Sequence, residues 1–162
     1  MQSLRHHYYW INAVLFQCAW FSCVLGGNAW AMPVVLGFVV FHGFFAKPNE
    51  WRFVAQVTVL GWFFDQILIR SELLQVDANP WWLHSLWLLF AMTINHGHRF
   101  LQKHLALAFV LGAISGPLAY FAGTQLTSAT VGVSLPLFFA ILSPAWAVMM
   151  TLIVFMARKQ LS

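Results

Sequence analysis

The chain has 162 residues, of which 61% are hydrophobic and only 7% are charged. Soluble domains carry about 25% charged residues, so this composition excludes a water-soluble globule. The formal net charge of +4 comes from basic residues that stand singly between apolar segments, which argues against a nucleic-acid partner and favours membrane orientation. The composition therefore predicts an integral membrane protein.

Six apolar segments approach the length of about 20 residues that a transmembrane helix needs. They cover residues 8–25, 29–45, 51–69, 81–96, 105–122 and 135–156. The loops between them are short, so sequential helices are expected to be antiparallel neighbours. The sequence thus predicts an all-α fold, in which residues 1–162 form a single integral membrane domain with a six-transmembrane-helix bundle.

The turns and chain ends of this bundle show a pattern of charge. All but one of the basic residues fall on one side of the six-helix path, namely Arg5, Lys47, Arg52, Arg99, Lys103, Arg158 and Lys159. Only Arg70 falls on the other side. Because cytoplasmic loops are enriched in Lys and Arg, both termini are predicted to be cytoplasmic.

Several local features refine this arrangement. Gly26, Gly27 and Asn28 predict a tight turn with Asn28 as a helix N-cap. Residues 123–134 predict an uncharged outer loop. Aromatic residues near helix ends predict an interfacial belt, formed by Tyr8, Tyr9, Trp10, Trp51, Trp81 and Trp82.

Asp65 is the one carboxylate inside a predicted span, near the outer end of the third helix. His84 lies near the outer end of the fourth helix, so the two side chains are expected at similar depth on neighbouring helices. An isolated charge in a membrane is costly, and a partner or protonation is expected. We therefore predict an intramembrane polar site formed by Asp65, His84 and Gln66, with Arg70 as a competitor and a structural clamp as the alternative role.

A second polar layer is predicted near the cytoplasmic side. It comprises Asn12, Gln17, His42, Gln56, Asn95, His96 and His98. His6, His7 and His104 fall on the same side. Imidazole is a common ligand for iron and zinc, but His96 and His98 form a lone HxH pair and no carboxylate in a predicted helix joins them. The expectation is a hydrogen-bonded interfacial layer with no metal and no cofactor.

Ala108, Gly112 and Gly116 form a ladder of small residues at intervals of four in the fifth segment. This spacing lets another helix approach closely. The approaching helix belongs either to the same chain or to a second copy. A homo-oligomer through Gly112 and Gly116 is therefore one expectation.

Four short motifs at the start of the chain carry a family resemblance. They are Trp10-Ile11-Asn12, Phe16-Gln17, Trp20-Phe21 and Gly27-Asn28-Ala29-Trp30. With Asp65 and the Trp81-Trp82 start of the fourth segment, they make the chain resemble domain-of-unknown-function family 2878, a group of small bacterial inner-membrane proteins. The resemblance implies a location in the bacterial inner membrane. It also implies a lipid-linked role, because such genes are often found near genes for fatty-acid or phospholipid-tail modification. It transfers no catalytic residue.

Three functions remain open at this point. The first is an enzyme or accessory protein of membrane-lipid metabolism that holds an acyl chain and has membrane lipid as its partner. The second is a small proton- or cation-coupled carrier or channel that uses Asp65 and His84. The third is a packing subunit of a larger membrane complex.

Overall fold

The computed structural model describes residues 2–160, with side chains described from Tyr8 onwards. Predictions that involve the side chains of Arg5, His6 and His7 lie outside the described residues. The helices are α1 (Gln2–Gly43), α2 (Pro48–Arg70), α3 (Trp81–Ile94), a short 3-10 helix (Arg99–Lys103), α4 (Leu105–Leu126) and α5 (Leu135–Gln160). Two short strands complete the fold, β1 (Leu74–Gln75) and β2 (Thr130–Val131). The predicted helical class is therefore confirmed.

Four of the described helices, namely α1, α2, α4 and α5, are long and apolar enough to cross a membrane. The remaining apolar helix, α3, has 14 residues, which is fewer than a full span needs. It ends at Ile94 rather than at residue 96. The backbone N–H groups of Asn95, His96 and His98 all donate to the Thr93 carbonyl, so the chain closes into a turn there.

The helix α1 folds back on itself at Gly27. This residue has φ 57° and ψ −148°, a conformation that glycine adopts without steric cost. The Tyr8 hydroxyl and His42 Nδ1 lie 3.3 Å apart although 34 residues separate them, whereas a straight helix would hold these residues about 51 Å apart. The turn predicted at Gly26-Gly27-Asn28 is present, and α1 consists of two antiparallel arms on either side of it.

The described chain divides into two compact units. Unit 1 comprises Met1–Trp62 and Pro80–Phe100, and unit 2 comprises Phe63–Asn79 and Leu101–Ser162. In unit 1, α3 packs along α1. The Asn28 side-chain oxygen accepts a hydrogen bond from the Trp82 backbone N–H at 3.0 Å, so Asn28 caps α3 from another element. The prediction of one membrane domain stays a prediction.

Unit 2 is built on the packing of α4 against α5. A Cβ atom added at Gly112 would lie 2.5 Å from the Met150 Cβ, and one at Gly116 would lie 2.1 Å from the Trp146 ring. The close approach that the glycine ladder predicts therefore occurs within the chain. A homo-oligomer through the same glycines stays a prediction, and it would require α5 to leave this face.

The loop predicted at residues 123–134 is shorter and more ordered than the sequence indicates. Helix α4 continues to Leu126, and β2 pairs with β1 as an antiparallel ladder in which Leu74 is opposite Val131. Gly132 permits this pairing, because a Cβ there would lie 1.9 Å from the Glu72 carbonyl oxygen.

Candidate functional site

Unit 1 contains a group of buried polar side chains, which we call the polar cluster. Its members are Tyr8, Asn12, His42, Glu50 and His96, and all are buried. Buried polar groups are costly unless they find partners, and the cost is larger for a charged group. Their concentration in one place of an otherwise apolar chain marks a candidate site.

The fold-back of α1 brings the cluster together. Tyr8 and Asn12 lie one helical turn apart on the first arm, and His42 lies in the last turn of the second arm. Because the two arms are antiparallel, the start of the first arm meets the end of the second. Tyr8 also stacks on Phe45, with ring centroids 4.0 Å apart, so the residues that follow α1 close over the phenol ring.

Glu50 enters the cluster from the first turn of α2. Its Oε2 accepts a hydrogen bond from the Lys47 backbone N–H at 3.0 Å, which is the return half of a capping box. Pro48 fits the first helical turn because a proline nitrogen needs no hydrogen-bond acceptor there. The helix start therefore fixes the carboxylate, and its Oε2 lies 3.4 Å from His96 Nε2.

Asn12 holds the turn that carries His96. Its side-chain oxygen accepts a hydrogen bond from the Gly97 backbone N–H at 3.3 Å, and its amide nitrogen donates to the Met92 carbonyl at 3.5 Å. Gly97 lies against Ala13, where a Cβ would come within 3.1 Å of the Ala13 Cβ. Asn12 thus ties α1 to the C-terminal end of α3 and positions His96.

The two histidine rings of the cluster meet edge to face and lie close to the Glu50 carboxylate. Their ring centroids are 5.1 Å apart. One ring nitrogen of His42, one of His96 and a carboxylate oxygen of Glu50 all lie within 4.8 Å of one another. His42 Nδ1 is engaged with the Tyr8 hydroxyl, while neither Nε2 atom meets hydrogen-bond criteria with any described residue. The cluster therefore presents a set of three electron-pair donors.

The predicted cytoplasmic-side layer is only partly assembled. Asn12, His42 and His96 join the polar cluster, and Asn95 is buried in the turn that follows α3. Gln17 and Gln56 are exposed and lie outside it. Along α2 the buried positions include Phe53, Val54 and Val57, so Gln56 falls on the other face.

The two histidines of the HxH motif lie in different surroundings. His98 Nδ1 lies 2.9 Å from the Thr93 hydroxyl oxygen, and its ring contacts those of Phe16 and Phe90. Burial lowers the pKa of His98 below its usual value, and a hydrogen bond with the Thr93 backbone opposes this effect. His98 is therefore a packed side chain of unit 1, while His96 belongs to the polar cluster.

Two members of the cluster were missed by the sequence analysis. Tyr8 was predicted as part of an interfacial aromatic belt, but it is buried because the end of the second α1 arm covers it. The expectation that no helical carboxylate joins the histidines was wrong. Helix α2 begins at Pro48, three residues before the predicted segment, and so includes Glu50. Glu50 lies eight residues after His42 in a chain with only 4 acidic residues, and that scarcity was the available signal.

A second buried polar group lies in unit 2. Asp65 is fully buried and accepts a hydrogen bond from the Tyr120 hydroxyl. Tyr120 also lies in an aromatic group with Phe64 and Trp146. No sequence pattern drew attention to Tyr120, which lies 55 residues from its partner.

The remaining residues predicted around Asp65 are placed as follows. His84 is half-buried in unit 1, with its ring centroid 6.3 Å from that of Trp62. Gln66 is half-buried beside Asp65 in the sequence. The coupling of Asp65 with His84 stays a prediction.

Apolar helices of this length define a helical membrane protein, with buried polar groups built into its helices. Residues 9–152 match the family of proteins of unknown function designated DUF2878, and the chain belongs to that family. The resemblance carried by the N-terminal motifs is thereby confirmed. Searches of curated proteins and of solved structures found no match.

Proposed function

We propose that this protein is a multi-pass protein of the bacterial inner membrane that acts on the acyl chains of membrane lipids, as an enzyme or as an accessory protein. The observation that carries the proposal is the polar cluster, which is buried in helices whose outer faces are apolar. Such groups are expensive in a membrane and mark functional positions by default. A purely structural bundle has no need of two histidines and a glutamate in one place.

The positions of nearby basic residues support a location of the cluster near the cytoplasmic surface. Lys47 and Arg52 flank Glu50, and Arg99 follows His96 in the chain. The guanidinium of Arg99 donates to the Tyr9 hydroxyl at 2.8 Å. Since basic residues favour the cytoplasmic side, the first arm of α1 begins there and both termini face the cytoplasm. The two α1 arms, α2, α4 and α5 then cross the membrane. Helix α3, which is too short for a full span by itself, supplies the sixth segment together with the turn that follows it.

The surroundings of the cluster suit a lipid. Trp10 is 72% exposed and Phe44 is 79% exposed, and both lie within a few residues of cluster members. Aromatic side chains at this level contact the boundary between headgroups and acyl chains. A lipid there would expose the upper part of its chains to the ends of α1 while its headgroup remains near Lys47.

The test compares the lipids of cells that express the wild-type protein, Glu50→Gln or Gln56→Ala. We expect mass spectrometry to find a change in acyl-chain composition with the wild type, and phospholipid or fatty acid bound to the purified protein. Glu50→Gln should abolish the change, while Gln56→Ala, exposed on the same helix, should preserve it. Identical lipid profiles in all strains, with no lipid bound to the protein, would refute the proposal.

The burial of Asp65 favours a second candidate, a proton- or cation-coupled carrier. A fully buried carboxylate in an apolar helix is a typical element of ion pathways, and the Tyr120 hydroxyl holds it in place. Protein reconstituted in liposomes should then show proton or cation flux that disappears in Asp65→Asn. Flux that survives this substitution would exclude Asp65 as the coupling residue.

A further inference from the structure

We infer that His42, Glu50 and His96 form a binding site for one divalent first-row transition-metal ion, such as zinc or iron(II). The inference concerns the chemistry of the polar cluster and does not depend on the proposed role in lipid metabolism. It rests on the identity of three donors, on their spacing and on the state of their ring nitrogens.

The donor set is one that proteins use for these metals. Two imidazoles and one carboxylate bind the zinc of several hydrolases and the iron(II) of non-haem oxygenases. Within the described part of the chain, no other group of three His, Cys, Asp or Glu side chains comes together in this way. All three side chains are buried, which protects the site from competing solvent.

The distances fit a metal ion with small adjustments. Two ligand atoms bound to one tetrahedral zinc at 2.0–2.2 Å lie about 3.4 Å apart. His96 Nε2 and Glu50 Oε2 are 3.4 Å apart, and the full set of donors lies within 4.8 Å.

The Nε2 atoms of the two histidines are available to bind a metal. His42 Nε2 and His96 Nε2 are buried and meet hydrogen-bond criteria with no described residue. A buried polar atom left in this state costs about 1–3 kcal/mol. A simple ion pair between His96 and Glu50 would satisfy one of these nitrogens and leave His42 Nε2 without a partner, whereas a metal engages both.

The Tyr8 hydroxyl completes the arrangement around His42. It lies 3.3 Å from Nδ1 and can accept a hydrogen bond from the N–H group at that position. The proton then stays on Nδ1, and the lone pair of Nε2 is available to bind the metal. Metal-bound histidines commonly have such a partner on the second nitrogen. Tyr8 is thus a positioning residue for the ligand His42.

The number of ligands indicates what the ion is for. Structural zinc sites usually have four protein ligands, whereas catalytic sites have three and leave a position for water or for a substrate oxygen. The site proposed here has three. We therefore expect an exchangeable ligand on the metal.

The sequence alone predicted no metal, because the histidines lacked a carboxylate partner. The start of α2 at Pro48 and the fold-back of α1 supply that partner and bring it to His42 and His96. The metal site is therefore a revision that follows from the position of Glu50.

The experiment measures metal on the full-length protein in detergent. Zinc and iron are determined on the protein as purified, and the chelator-treated protein is then titrated with Co²⁺, whose visible absorption reports its coordination. We expect a single Co²⁺ per chain with the spectrum of a low-coordinate nitrogen and oxygen site. His42→Ala, His96→Ala and Glu50→Gln should each weaken binding by more than the roughly 10- to 100-fold that loss of an outer-shell partner costs.

Matched controls separate this site from other histidines. His98→Ala alters the other member of the HxH motif, and His104→Ala alters an exposed histidine. A double His6→Ala, His7→Ala variant removes the histidine pair near the N-terminus. All three should bind Co²⁺ as the wild type does. Tyr8→Phe should keep the stoichiometry and lower the affinity by roughly 10- to 100-fold.

Measurements on the wild type keep the inference testable if cluster variants fail to fold. Zn²⁺ should raise the unfolding temperature and chelation should lower it again, because only the folded chain holds the three donors together. X-ray absorption of the Zn²⁺ complex should show imidazole scattering. Absence of Co²⁺ binding to the wild type, or binding lost only in the His6 and His7 variant, would overturn the inference. Metal binding with unchanged cellular lipids and no lipid bound to the protein would refute the proposed function alone.

Discussion

Unit 1 buries the polar cluster at the meeting of α1, α2 and the end of α3, whereas unit 2 joins α4 and α5 through Gly112, which lies against Met150, and Gly116, which lies against the Trp146 ring. Helices in a membrane gain little from the hydrophobic effect between them, so close packing and interhelical hydrogen bonds hold them together. Unit 2 relies mainly on close packing. Unit 1 also uses interhelical hydrogen bonds, since the side chains of its polar cluster join α1 to the end of α3 and join α2 to the turn that follows α3.

The largest expected effect tests the packing of unit 2. In Gly116→Ala the new Cβ would lie 2.1 Å from the Trp146 ring, so α4 and α5 must separate. We expect the free energy of unfolding to fall by about 3 kcal/mol, measured by circular dichroism during titration with a denaturing detergent.

Gly123→Ala is the matched control for this change. Gly123 lies in the same helix, and a Cβ added there would meet no atom within 4 Å. Because alanine has the higher helix propensity, this variant should be as stable as the wild type or up to about 1 kcal/mol more stable. Equal destabilisation by both substitutions would show that the cost of Gly116→Ala does not arise from contact with α5.

The next effect concerns the polar cluster. Asn12→Ala removes one hydrogen bond to the Met92 carbonyl of α3 and one to the turn that follows, which leaves the Gly97 N–H without its acceptor. We expect a loss of about 2 kcal/mol in the free energy of unfolding. The readout is the reaction of Cys23, a fully buried thiol of unit 1, with a thiol reagent in a Cys18→Ser background.

Gln17→Ala is the corresponding control on the same arm of α1, and Gln17 is exposed. This substitution should change the free energy of unfolding by no more than about 0.5 kcal/mol. If Asn12→Ala were equally mild, the polar cluster would contribute less to unit 1 than its burial indicates. The same thiol readout on Gly116→Ala shows whether damage to unit 2 also opens unit 1.

A smaller effect is expected at the other end of the α1 arms. Asn28→Ala removes the side-chain acceptor that caps Trp82 at the start of α3. We expect the free energy of unfolding, measured by thermal unfolding, to fall by about 1 kcal/mol, as for other helix caps. Asn28→Asp retains an acceptor oxygen at a helix N-terminus and should restore the loss. No difference between these two variants would contradict the capping role.

The smallest expected effect measures polar coupling within unit 2. The effects of Asp65→Asn and Tyr120→Phe on the free energy of unfolding should depart from additivity by about 0.6 kcal/mol in a double-mutant cycle. This is the usual size for interhelical hydrogen bonds in membranes. A second cycle with His84→Gln measures the pair that the sequence predicts. Larger coupling with His84 than with Tyr120 would make His84 the principal partner of Asp65.

Hydropathy located the helices because an apolar run cannot leave backbone groups unpaired in a membrane. It misplaced several of their ends, and α3 stops at Ile94, before the predicted residue 96. Helix α5 continues to Gln160, beyond the predicted end at residue 156, and α4 continues to Leu126. The N–H groups of these last turns donate to carbonyls of the preceding turn, so the helices continue although the side chains there include polar ones.

The site was harder to predict, because its parts are far apart in sequence. Asn12, His42 and His96 were expected in one layer, since each lies near the same predicted membrane surface. Depth alone does not say which way a side chain faces, and for this reason the predicted layer also included Gln17 and Gln56, which are exposed. Tyr8 and Glu50 could be assigned only after the fold-back at Gly27 and the first turn of α2 were known.

The order of the chain has a consequence for biogenesis. All members of the polar cluster lie at or before His96, so the ribosome has made the whole site before α4 begins. N-terminal units of a chain generally fold first during synthesis. The donors of the cluster can therefore meet in the bilayer while α4 and α5 are still being translated, and any ion or lipid they hold can enter before the protein is complete.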